Sequence, residues 1–388
     1  MTEAPLEVGD EVELRIGKAV HGGHCLAHLP GRTIFVRHAL PGELVTARIT
    51  ECSRRMVRAD AVRVIEAAEG RVPPACPHSG PDGCGGCDFS HVAPSVQRSW
   101  KSEILRESLQ RFGGVTDEAM AALDTRVHEL PGHRDGLGWR TRIDFARGDD
   151  GRWGLRAARE HRIIAVDTCP LGTAEACAAG PPRPAFTARV RERSWKVRPE
   201  MFWQAHEALP EALVDACLEF GAPAPGESWW DLYSGAGLIA AFVAEAVGPA
   251  GRVDAVELSM DASKAARRSL HDLPHAHLHQ ADVRPWLAAR LADGSATREG
   301  PMGAAVAGVV LDPPRKGAGA TVLGHLVAAR PARIVYVACD PVSLARDCAL
   351  LAEEGYELTR LRSFDAFPMT SHFETVALFT PSGPARRQ

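Results

Sequence analysis

Five apolar runs in the last 190 residues constrain this chain more than any other feature. "SWWDLYSGAG", "GRVDAVELS", "AAVAGVVLDPP", "ARIVYVACD" and "ETVALFTP" read as strands, and helical segments lie between most of them. Strands that alternate with helices imply an open, mostly parallel sheet covered by helices, an α/β domain over residues 201–388. Ligands of such sheets bind at the carboxyl ends of the strands. The residues that end these runs are therefore the first candidates for chemistry.

The first run ends in "DLYSGAG", Asp231 to Gly237, whose glycines permit a tight turn and a close backbone approach to a ligand. Its spacing matches neither G-x-G-x-x-G nor the phosphate loop, so nothing there calls for a pyrophosphate. The next run ends in Glu257, which can accept hydrogen bonds from both hydroxyls of a ribose. Asp282, at the third strand end, can meet an adenine amino group. An acid-rich set of strand ends around a glycine turn resembles a class I S-adenosylmethionine methyltransferase, a Rossmann-like fold. The alternative is a plain strand–turn–helix with exposed acids.

The fourth strand ends in "LDPPRKG". Methyltransferases that act on exocyclic amines usually place an aromatic residue after the two prolines, to stack on the base. Arg315 stands there instead, which points to carbon as the methyl acceptor. C5 of uracil is a poor nucleophile. A thiolate added at C6 makes it reactive, and the adduct then needs a base to remove the C5 proton. Cys339 ends the fifth strand beside Asp312 of the fourth, and Glu374 begins the last strand after a polar turn that includes His372. Cys339 is the candidate nucleophile and Glu374 the candidate base. The plain alternative for Cys339 is a small buried residue.

"DLYSGAG", "LDPPRKG", "ACDP" and "DAFPMTSHFET", preceded by "MFWQAH", follow the order and spacing of the RNA uracil-5-methyltransferase family. The resemblance covers nearly the whole chain, and the ribosomal RNA members resemble it most. It implies Cys339 as nucleophile, Glu374 as base, and Gln204, Tyr233, Glu257 and Asp312 as cofactor or base contacts. Three positions depart from the family pattern. Asp340, Leu238 and His206 each stand where Asn is common.

The N-terminal part reads differently. Residues 6–66 hold short alternating strands broken by "HGGH", "LPGR" and "LPGE", which suggests a small OB-like barrel. Val8-Gly9-Asp10 and the later "ALPGELV" resemble the TRAM domain, an RNA-binding barrel. Residues 67–200 form a mainly β central domain. Within it, residues 94–114 read as a helix with Val96, Trp100, Ile104, Leu105, Leu109 and Phe112 on one face, expected to pack on the catalytic domain.

The ten cysteines are too sparse for a disulfide scaffold, and clustered ones more often bind metal or react. Cys76, Cys84 and Cys87 are spaced C-x7-C-x2-C in a glycine-rich loop, and Cys169 supplies a fourth thiol. Four thiolates suit zinc or an iron–sulfur cluster, and spacing alone does not choose. The resembling family has a subset with a [4Fe–4S] cluster from this arrangement, usually with a shorter first gap. Cys25, Cys52, Cys177, Cys217 and Cys348 read as small apolar residues.

The formal net charge is -4, which excludes a uniformly basic nucleic-acid binder. Positions 134 to 198, however, carry 14 Lys or Arg against 8 Asp or Glu, a net of +6, and so allow a local RNA-binding face. No apolar run reaches the roughly 20 residues of a membrane span, and the acidic N-terminus lacks an apolar signal core. The expectation is a cytoplasmic, monomeric enzyme that methylates C5 of a uridine in rRNA or tRNA. The alternatives are an RNA cytosine-C5 methyltransferase and a non-enzymatic RNA-binding iron–sulfur protein. Cytosine enzymes usually carry Pro-Cys in the fourth-strand loop, where this chain has "DPPR".

Overall fold

The computed structural model describes residues 6–53, 56–132, 135–158, 161–178, 185–294 and 305–382. The chain divides into two compact units. One contains residues 1–104, 131–181 and 367–372, and the other residues 105–130, 182–366 and 373–388.

The first unit opens with a closed five-stranded barrel. Its strands are Glu11–Val20, His24–Leu29, Arg32–Arg37, Leu44–Cys52 and Val57–Glu66. Alternation along them puts Leu14, Ile16, Ile34, Val36, Val45, Ala47 and Ile49 inside, each 3 % exposed or less. The strand His24–Leu29 ("HCLAHL") escapes sequence reading because His, Ala and Cys are weak strand formers and "HGGH" looks like a break. The turn at 38–43 is fixed by a buried carboxylate. Glu43 accepts from Arg71 Nε at 2.5 Å and Nη2 at 2.7 Å, and from Leu40 N–H at 2.8 Å. Beyond the barrel come a short three-stranded sheet, Ala146–Arg147, Trp153–Arg156 and Ile163–Ala165, and the loop-rich cysteine segment.

The helix Pro94–Gly113 starts in the first unit and ends in the second. Val96 and Trp100 lie against the barrel core, whereas Leu105 and Leu109 join the core of the second unit. Phe112, expected on the apolar face, is 43 % exposed, with Arg111 over its ring. Two polar residues are fully buried on this helix instead. Gln97 donates to the carbonyls of Phe89 and Val92, and its own carbonyl accepts from Met369 N–H at 2.9 Å. Lys101 donates to the Phe367 carbonyl at 3.1 Å.

The second unit is built on an eight-stranded sheet. From one edge its order is Ala276–Gln280, Arg252–Glu257, Ser228–Leu232, Val306–Leu311, Arg333–Ala338, Glu374–Pro381, Tyr356–Phe364 and Val127–His128. The first five strands run parallel and Glu374–Pro381 runs antiparallel to Arg333–Ala338. Parallel strands covered on both faces must be apolar throughout. Ser228–Leu232 is buried at all five positions. Trp229 fits within it because Gly308 of the neighbouring strand has no side chain. A Cβ there would stand 2.3 Å from the indole ring. Among the described residues no helix is long and apolar enough to cross a membrane.

Candidate active site and cysteine cavity

Sheet register brings the two reactive candidates together. Ala338 pairs with Thr375 across the antiparallel ladder. The ladder stops one residue short of Cys339 and Glu374, so both stand at the same strand end, near enough for the Glu374 carboxyl to raise the thiol. Asp312 follows Leu311, whose register partner is Tyr336, and so stands at the same end of the sheet. The helix Pro341–Glu353 begins two residues after Cys339, so the thiol sits where strand turns into helix. Asp340 caps that helix by accepting from Ser343 N–H at 2.8 Å. Asp and Asn are equally good at this position, which is why the departure from the family pattern leaves the turn intact.

The electrostatics of this corner are unusual. Burial, with the neighbouring Glu374 and Asp312, pushes the Cys339 thiol up to about 12. Glu374 is 3 % exposed, and its carboxyl is held well above the carboxylate range by burial and by Asp312. Burial also raises Asp312. The guanidinium of Arg315 acts the other way and lowers both Cys339 and Glu374. This corner therefore holds a proton in its resting state, with one cation placed to favour ionisation.

The glycine turn is built for a ligand. Gly235 and Gly237 have φ of 53° and 76°, and Tyr233 also lies in the left-handed region at 63°. Glu257 Oε2 accepts from Gly235 N–H at 2.9 Å and Oε1 from Ser259 N–H at 2.6 Å. Each oxygen keeps a second lone pair for another donor. Asp231 is buried and accepts from Ala240 N–H at 2.8 Å. Burial chiefly raises it to about 8, with Asp312 and Glu257 adding to the rise. Asp282 caps the helix Val283–Ala292 through Oδ1 and is exposed. Burial, with Asp282 and Asp347, raises the Tyr233 phenol to about 12. Gln204 is buried, as is His206, whose Nδ1 accepts from Ala208 N–H at 3.1 Å. An Asn side chain could make the same local bond, which accounts for that departure. Leu238 opens the next helix and is buried. Ser234 Oγ, in the middle of the turn, is buried and has no hydrogen-bond partner. An orphaned hydroxyl at the strand-end turn fits a polar cofactor.

In the first unit, Cys76, Cys84, Cys87 and Cys169 line one cavity. None is in a disulfide. Burial raises the Cys87 thiol to about 12, and the charges of Cys169, Cys84 and Cys76 add to that rise, so the four groups sense one another. Among the described residues, no set of three or more His, Cys, Asp or Glu stands in ion-holding geometry. Cys177, expected to be an independent apolar residue, borders this cavity's wall. Its Sγ donates to the Cys169 carbonyl at 3.3 Å. Arg140 also lines the cavity and lowers Cys84 and Cys169. Residues 133–134, 159–160 and 179–184 of the basic stretch, Arg134 among them, lie outside the described residues.

A parallel sheet of this order, with one antiparallel strand inserted near its edge and an acid-lined glycine turn, defines a class I methyltransferase domain. Residues 5–62 match the TRAM domain family, and residues 303–381 match the tRNA (Uracil-5-)-methyltransferase family. An uncharacterized RNA methyltransferase of Streptomyces coelicolor is 35 % identical, covering 97 % of this chain and 94 % of that protein. A 23S rRNA (uracil(1939)-C(5))-methyltransferase of Pseudomonas fluorescens is 31 % identical, covering 97 % and 96 %. The chain belongs to the RNA (uracil-5-)-methyltransferase family, whose members methylate RNA. The crystal structure of the Pyrococcus abyssi tRNA (uracil-54, C5)-methyltransferase with S-adenosyl-L-homocysteine shares the fold. Its TM-score is 0.70 at 20 % identity, over 95 % of this chain and 99 % of that one.

Proposed function

We propose that this enzyme methylates C5 of a uridine in RNA through a covalent Cys339–C6 adduct. The observation that carries the reading is the ladder that ends one residue before both Cys339 and Glu374, at the strand end shared with Asp312. S-adenosylmethionine supplies the electrophilic methyl group. Gln204, Tyr233, Glu257, Asp282 and Asp312 hold the cofactor or the base, with Glu257 on the ribose hydroxyls and Asp282 towards the adenine amino group. Ser234 Oγ is a further donor that the sequence did not single out. Cys339 loses its proton to solvent, the thiolate Sγ bonds to C6, and the C5–C6 π pair moves to C5 and its conjugated carbonyl. C5 then takes the methyl group as its bond to the sulfonium sulfur breaks, the thioether being the leaving group. Glu374 removes the C5 proton, the C5–C6 double bond re-forms and the Cys339–C6 bond breaks. Arg315 favours the ionised thiol and the ionised base.

Cys76, Cys84, Cys87 and Cys169 hold a [4Fe–4S] cluster in this reading, with zinc as the alternative. The support is chemical. Four thiols line one cavity, and burial with the neighbouring sulfurs raises Cys84, Cys87 and Cys169; a cation among them would relieve that repulsion. The chain divides into a TRAM barrel (1–66), a central domain (67–200) and a catalytic domain (201–388). It acts as a cytoplasmic monomer on rRNA or tRNA.

Mapping 5-methyluridine in 23S rRNA and tRNA, from cells with and without this gene, tests the proposal. One uridine should lose its methyl group on deletion and regain it with the wild-type gene but not with Cys339→Ala. Identical maps in all strains would overturn it.

A further inference from the structure

The helix that follows Cys339 also grips the loop that follows Asp312. Ser343, one turn into the helix, donates its hydroxyl hydrogen to the Arg315 carbonyl at 2.7 Å. Asp347, one turn further along the same face, is 3 % exposed. Its Oδ2 accepts from Ala318 N–H at 2.7 Å and from the Tyr336 hydroxyl at 2.6 Å, and Oδ1 accepts from Gly319 N–H at 3.3 Å. Tyr336 is itself 1 % exposed and lies on the strand that ends in Cys339. The hydroxyl of Tyr336 also accepts from Ala318 N–H at 3.2 Å. The loop is shaped to admit the carboxylate. Gly317 has φ of 84°, and a Cβ there would lie 2.7 Å from Asp347 Oδ2.

Every group in this clamp is buried or bonded, and among the described residues none of them is hydrogen-bonded to the 233–237 turn. We propose that Ser343 and Asp347 are positioning residues for methyl transfer. They lock the 313–319 loop to the helix of the nucleophile, so that Arg315 keeps a fixed place relative to Cys339. The clamp explains why a short, proline-rich loop with an exposed arginine can act with precision. Its two anchor points lie on the element whose first residue follows the Cys339–Asp340 turn, so loop and thiol move as one body. A loop held only at its strand end would let the guanidinium sweep, and a displacement of about 1 Å costs on the order of 10²-fold in rate.

This inference rests on the proposed reaction, and its test separates the two. Ser343→Ala and Asp347→Asn are compared with wild type, alone and combined with Arg315→Ala. The substrates are 23S rRNA and tRNA transcripts containing 5-fluorouridine. Three quantities are read: the rate of covalent protein–RNA complex formation, the Kd for S-adenosylmethionine, and hydrogen exchange at Ala318 and Gly319. Each clamp variant should form the complex about tenfold to a hundredfold more slowly, with cofactor Kd unchanged within twofold. In Asp347→Asn the two amides should exchange faster. In the Arg315→Ala background the clamp substitutions should slow the complex by less than twofold further. Full multiplicative losses in that background would show that the clamp does not act through Arg315, and cofactor affinity lost in parallel would make it ordinary stabilisation. Either result overturns the inference while leaving the reaction standing. A wild-type enzyme that forms no complex with either RNA refutes the reaction, and the clamp's catalytic role with it. Ser343→Ala removes one surface-side hydroxyl and keeps the test decisive if Asp347→Asn fails to fold.

Discussion

The free enzyme should hold Cys339 almost entirely as a thiol, and its reactivity gives a quantitative check. The sulfur sits at about 12, against about 8.5 for an unperturbed cysteine. At pH 8 roughly one Cys339 in 10⁴ is ionised, whereas about a quarter of an unperturbed thiol is. Ionisation alone therefore makes Cys339 slower by about three orders of magnitude. A more basic thiolate is intrinsically more nucleophilic, with a Brønsted coefficient of about 0.4–0.5. Over some 3.5 units that returns about one and a half orders. The net expectation is attack on a small neutral disulfide about fifty- to a hundredfold slower than a model thiol at pH 8. The rate should keep climbing tenfold per pH unit to beyond pH 10. Labelling wild type and Cys339→Ala in parallel, with peptide mass spectrometry, isolates this cysteine from the other nine. A plateau below pH 9, or a rate equal to the model thiol, would refute the protonated resting state and the roles given to Glu374 and Asp312 in it.

Three further outcomes follow from the geometry. Glu374→Gln should still form the adduct on ordinary RNA and then stall, and a denaturing gel should show accumulated methylated RNA–protein complex; normal turnover would assign the base elsewhere. Glu43 is fully buried. Burial alone would raise its carboxyl, but Arg71 and two backbone N–H groups outweigh this and hold it low. Its stabilisation is present above the unfolded carboxylate value near 4.3 and is lost as pH falls through the lower folded value; Glu43→Ala should cost about 3–5 kcal/mol in denaturant unfolding, and pH-independent stability of the barrel down to pH 2 would contradict this. Anaerobically purified protein should be brown with about four irons per chain, lost in Cys87→Ser, whereas stoichiometric zinc without iron would decide for the alternative.

Much of the catalytic unit was legible because its signals are local. Each acid stands within a residue or two of its own strand end, so Asp231, Glu257, Asp282 and Asp312 could be placed from order alone. Cys339 and Glu374 were nameable from chemistry, but their meeting at one strand end is a property of ladder register, which no local pattern encodes. The departures at Asp340 and His206 looked like losses of specific contacts. In the fold, each makes the short-range hydrogen bond that an Asn would make. The buried polar residues misled in the other direction. Gln97 and Lys101 were not singled out in the sequence, yet both are fully buried with backbone carbonyls as partners. Phe112 read as core and is exposed. Arg140 belonged to a basic stretch that suggested phosphate binding. It lines the cysteine cavity instead.

The antiparallel strand beside Arg333–Ala338 has an evolutionary consequence. In the proposed reaction, nucleophile and base directly follow the last rung of one ladder, so their separation is set by the sheet and not by loop length. Segments on either side of the catalytic pair can gain or lose residues as an RNA target changes, with no retuning of the chemistry. Within the strand there is no such freedom. A slip of one residue between Glu374 and Pro381 would turn every side chain to the opposite face and remove the base in a single step. Relatives of this chain should therefore differ in loops freely, and differ in the length of this strand almost never.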